Sequence, residues 1–84
     1  MSATTLKREA KGYYKVTLSF IKNTEDKVKY LLGKIQETAE ILEDGLFWHY
    51  LGHPKLRLEE AKSKVMEIAA MAELLFEVME GGEP

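Results

Sequence analysis

Cysteine is absent from the 84 residues. Disulfide cross-links, Cys-ligated zinc and thiol nucleophiles are thereby excluded, so a chain this small must be held by packing, oligomerisation or a ligand. No apolar run approaches the roughly 20 residues needed to cross a bilayer. No apolar stretch precedes Lys7 and Arg8 to mark a secretory leader. The expectations are therefore no membrane partner and a cytoplasmic location. Catalytic signatures are missing too: there is no nucleophile elbow, glycine-rich phosphate loop or Glu-x-x-His ligand set, and no motif fixes two carboxylates across a pocket. The chain is expected not to be an enzyme and to carry no cofactor.

What is present suffices for one small fold. Hydrophobic residues make up 45% of the chain and charged ones 31%, which excludes a wholly disordered polymer. We read residues 1–84 as a single domain, with a flexible basic arm over 1–12 and a flexible tail over 81–84. The net charge of −2 is unevenly spread. Residues 1–22 hold five cations against Glu9 alone, whereas no Lys or Arg follows Lys64 and Glu67, Glu73, Glu77, Glu80 and Glu83 load the far end. Acids at a helix C-terminus oppose the macrodipole. Either this is a solvated acidic face, or the basic start lies against it in the same chain or a neighbour.

Periodicity is clearest from Thr24 onward. Asn23 or Thr24 suits an N-cap, and Glu25 and Asp26 fall in a first turn where acids are favoured. Val28, Leu32, Ile35, Ala39, Leu42 and Leu46 then recur at spacings of about 3.5, the seam of a paired helix. Gly52, His53 and Pro54 make a stop and restart. Beyond it Leu58, Ala61, Val65, Ile68, Ala72, Leu75 and Met79 repeat the pattern. The fold class expected is mainly α: a long antiparallel helical hairpin over about 24–51 and 54–80, joined by a short loop. The second helix is apolar nearly all round, so one neighbour cannot cover it. Either the N-terminal segment packs on it or a second chain does, and both are expected, with Met71, Phe76 and Val78 at the partner surface of a homodimer.

Residues 13–21 alternate: Tyr14, Val16, Leu18 and Phe20 against Lys15, Thr17 and Ser19. Two readings stand. One is a strand, which would need a copy of itself in a dimer to satisfy its backbone. The other is a third helix through Leu6, Ala10, Tyr14, Leu18 and Ile21. A basic strand followed by two helices resembles the ribbon-helix-helix family of dimeric DNA-binding proteins. That resemblance implies Lys15, Thr17 and Ser19 in the major groove, and phosphate contacts from Lys7, Arg8 and Lys11.

The segment 46–54 concentrates the only Trp and both His. Phe47, Trp48, Tyr50 and Leu51 point in several directions around a helix and suit a contact with another protein. His49 and His53 are four apart, the spacing of a His-x-x-x-His metal pair, though no third ligand is fixed. Three functions follow in order. The first is a non-catalytic, homo-oligomeric helical interaction module such as an adaptor, inhibitor or small subunit. The second is a DNA-binding regulator of ribbon-helix-helix type, and the third a His-based metal-binding protein.

Overall fold

The computed structural model describes residues 2–50, 52 and 57–81, with the side chains of 48–50 excepted. The protein is mainly α: helices α1 (Ala3–Leu18), α2 (Thr24–Tyr50) and α3 (Leu58–Met79), and no strand among the described residues. Both α1 and α2 pack chiefly on α3, while α1 and α2 touch little. The all-round apolar character of α3 thus has a structural counterpart, because it is the central element of the three.

Local chemistry explains the boundaries. Ser2, in extended conformation, accepts a hydrogen bond from the Thr5 amide at 3.2 Å and opens α1. Asn23 caps α2 reciprocally: its Oδ1 accepts from the Asp26 amide at 2.8 Å, and its Nδ2 donates to Asp26 Oδ2 at 2.9 Å. The sequence pattern continued α2 through Gly45, and the helix does run through it to Tyr50. Gly45 is buried, as is Ala61 near the start of α3, so small residues occupy the packed face there. Helix α3 begins at Leu58, with Arg57 at the N-cap and Glu59 and Glu60 in its first turn, and the expected start at Pro54 lies outside the described residues. Its end is set by Gly81 at φ +84°, the left-handed conformation that glycine adopts without steric cost.

The strand reading of 13–21 is overturned. Residues 13–18 are the last turns of α1, followed by a turn at Ser19 and Phe20. The β preference of Val16 and Thr17 amounts to less than ~1 kcal/mol each, and a strand there would have had no partner in its own chain. The 3.6-residue period prevails because α3 offers an apolar surface to bury Tyr14 and Leu18. Residues 3–12, within the stretch expected as a basic arm, form the first turns of α1.

The core comprises Tyr14, Leu18, Leu31, Met71, Leu74 and Val78, with Ile21, Val28, Tyr30, Ile35 and Leu75 packed against it. On α2 the deepest positions are Leu31, Thr38 and Gly45, seven apart. The expected seam is therefore rotated. Its Val28, Ile35 and Leu42 line the edge of the covered face, whereas Leu32, Ala39 and Leu46 are exposed. Helix α3 splits likewise: Ala61, Ile68 and Leu75 are covered to some degree, and Leu58, Val65, Ala72 and Met79 face outward.

Candidate interaction surfaces

The basic start and the acidic end meet. Lys7 Nζ lies 2.9 Å from Glu73 Oε2, and Lys11 Nζ lies 3.7 Å from Glu73 Oε1 and 3.2 Å from Glu77 Oε2. The hydrogen bond from Lys7, aided by the positive charges of both lysines, holds the Glu73 carboxyl below the usual glutamate range against a smaller opposing effect of desolvation. Of the cations expected to grip nucleic acid, Lys7 and Lys11 thus have acidic partners within the chain. Arg8 and Lys15 remain exposed on α1.

The outward polar set of the strand reading is broken up. On a helix each residue advances about 100°, so Lys15 and Ser19 lie near one face while Thr17 lies on the opposite side. Thr17 Oγ1 donates to the Tyr13 carbonyl at 3.2 Å, and the Ser19 hydroxyl donates to the Val16 carbonyl, both within their own helix. Nothing in this arrangement presents the three side chains together to a groove.

Beside these ion pairs, Tyr14 Oη donates to Glu67 Oε1 at 3.4 Å, and Lys64 lies 3.3 Å from Glu67 Oε2. Burial of the ring, followed by the charge and hydrogen bond of Glu67, pushes the Tyr14 phenol up to about 12. An open groove of about 410 Å³ borders this pair, lined by Leu6, Ala10, Tyr13 and Ser63 among others. A second groove, of about 430 Å³, lies between Lys11 and the Ala72 to Glu77 turn of α3.

The expected partner-binding residues separate into three groups. Met71 and Val78 lie in the chain's own core, at 0% and 3% exposure, so they are not available to a second molecule. Phe76 and Phe47 are on the surface, at 65% and 56%. Trp48, His49 and Tyr50 belong to the last turn of α2, but their side chains lie outside the described residues, as do Leu51 and His53. Among the described residues no group of three or more His, Asp or Glu is placed to hold a metal ion. No described helix is long and apolar enough to cross a membrane.

Sequence reasoning missed the outer face of α1 and the turn after it, where Tyr13 and Val16 on the helix and Phe20 in the turn stand exposed. The i, i+3, i+7 pattern was available, but the alternation in the same residues pointed to a strand. Tyr13 also packs edge-on against Tyr14, ring centroids 5.0 Å apart.

Comparison with family models, with curated proteins and with solved structures returned no match.

Proposed function

We propose that this chain is a non-catalytic helical interaction module that acts as a homo-oligomer and docks another protein, as an adaptor, inhibitor or small subunit. Its working element is the antiparallel hairpin of α2 and α3, and its place of action the cytoplasm. The observation that carries this reading is the balance of apolar surface. Eight hydrophobic residues are buried among the described residues, whereas eleven large ones are exposed. Singly scattered exposed apolar side chains are ordinary, but rows of them at helical spacing mark contact surfaces.

The DNA-binding alternative rested on a basic strand. With those residues in α1 and two of the cations engaged by Glu73 and Glu77, it has less to stand on than the interaction module. Two measurements test the choice. Light scattering of the intact chain at micromolar concentration should give an oligomer, and titration with random duplex DNA at low and high salt should give no salt-dependent binding. A stably folded monomer would remove the homo-oligomeric reading, and a steep salt slope would favour DNA.

A further inference from the structure

The open groove between α1 and α3 carries charge of one sign. Leu6, Glu9, Ala10 and Tyr13 of α1 line it against Ser63 and Glu67 of α3, the Tyr14 ring completes the wall, and none of its lining residues is Lys or Arg. Its volume of about 410 Å³ falls within the roughly 300–1,000 Å³ of ligand clefts.

Helical geometry explains how a basic helix comes to border an acidic groove. At about 100° per residue, Leu6, Glu9, Ala10 and Tyr13 share an arc of roughly 100° on α1. Lys7, Arg8, Lys11 and Lys15 share a second arc of about the same width, centred roughly 160° away from the first. Lys7 and Lys11 are engaged there by Glu73 and Glu77. The one acid of α1 thus shares its side with an aromatic ring and apolar stems, and the cations point elsewhere.

The two carboxylates of the groove are held differently. Glu67 is fixed on the α3 wall, where Tyr14 Oη donates to its Oε1 at 3.4 Å and Lys64 Nζ, 3.3 Å from its Oε2, balances its charge. Glu9 is exposed, and no described cation lies within ion-pair distance of it. An incoming cation meets the Glu9 charge without displacing a partner. Glu67 can accept a further hydrogen bond while keeping Lys64, since each carboxylate oxygen has two lone pairs. Beside them the Tyr13 ring is 66% exposed.

We propose that this groove docks an arginine side chain of a partner protein, its guanidinium held by Glu9 and Glu67 and stacked on Tyr13, its methylene stem laid on Leu6 and Ala10. Charge complementarity selects a cation, because an acidic side chain would meet two carboxylates. The ring selects arginine over lysine: a planar, weakly hydrated guanidinium forks onto carboxylates and stacks on aromatic faces, whereas an ammonium is a compact, strongly hydrated point charge. The assignment rests on the partner-docking half of the function proposed above and deepens it by naming the chemistry of the partner. It does not depend on the chain being an oligomer.

Titration of the isotope-labelled full chain with N-acetyl-arginine amide, followed by NMR, tests it against the neutral isostere N-acetyl-citrulline amide. The arginine probe should move the amide signals of Leu6, Glu9, Tyr13, Ser63 and Glu67 saturably, and the citrulline probe should not. Glu9→Gln and Tyr13→Ala, both at exposed positions, should keep the helical circular dichroism and weaken the probe about two- to fivefold each, the worth of one exposed ion pair or one exposed cation–π contact. Glu43→Gln, on the exposed side of α2, should leave it unchanged. Equal shifts with both probes, shifts centred on Glu37 to Asp44 of α2, or no shift of the groove signals would overturn the arginine site and leave docking through another surface standing. Light scattering of the same samples judges the homo-oligomeric reading separately, since a monomer whose groove binds the probe supports the site while removing that reading.

Discussion

Lys7 and Glu73 stand 2.9 Å apart, Nζ to Oε2, and tie the first half of α1 to the last third of α3. Lys11 extends the contact to Glu77, one turn further along. This resolves a conflict in α3, whose last turn carries no cation to complement the negative end of the dipole. The cations are delivered by a different helix. All four side chains are roughly a third to a half exposed, so solvent screens each pair and its contribution is modest.

The double variant Lys7→Gln, Lys11→Gln should therefore lower the melting temperature slightly at low salt, and by less at high salt as screening shortens the Debye length. Thermal denaturation at the two salt concentrations measures this. An equal loss at both would mean that the lysine stems, rather than their charges, hold α1 in place.

Acid should act through Glu73. Its carboxyl titrates lower in the folded chain than in the unfolded one because Lys7 donates to its charged form. The stabilisation is fully present above the ordinary glutamate pKa and is lost as pH falls through the lowered folded value. Urea midpoints followed downward from neutral pH should drop for the wild type, and Glu73→Gln should start lower and drop less over that window.

Base should act through Tyr14. With its phenol raised to about 12 from 10.0, the folded state holds the proton over a range where the unfolded state releases it. Stability is unaffected below the unfolded value and declines as pH rises towards the folded one. Tyr14→Phe should show a shallower alkaline loss than the wild type, and the difference between the two proteins carries the result.

The helical assignment of the N-terminal segment has its own mutational signature. Val16 is 61% exposed, so Val16→Ala should stabilise by up to about 0.5 kcal/mol through helix propensity, where a strand would be weakened. Gly12 lies inside α1, and a Cβ built there meets no atom within 4 Å. Gly12→Ala should add roughly 0.5–1 kcal/mol. Chemical denaturation of both variants checks the direction, and destabilisation of both would count against α1.

Core and surface leucines should separate just as clearly. Leu18 is fully buried, and Leu18→Ala should cost about 2–5 kcal/mol through the lost transfer energy and the cavity left behind. For a domain of this size that is a large share of total stability.

The amino-acid sequence by itself determined much of the molecule's local structure. A cap at Asn23 or Thr24, the run of α2 through Gly45, the end of α3 near Gly81 and the excess apolar surface of α3 are all legible from residue type and spacing, because capping and periodicity are local. The meeting of the basic start with the acidic end was also one of two readings the charges allowed. Tertiary structure alone decided three things. It chose helix over strand for residues 13–18, because α3 offered Tyr14 and Leu18 a surface to bury and no strand partner existed. It selected which half of the α2 seam is covered, Val28, Ile35 and Leu42 beside the buried Leu31, Thr38 and Gly45, and left Leu32, Ala39 and Leu46 exposed. It also drew Met71 and Val78 into the core while leaving Phe76 in solvent. A stripe of period 3.5 reveals that a helix has an apolar side, but which edge of that stripe is covered depends on where the neighbouring helices lie. That is a property of the packed chain and not of any window of sequence.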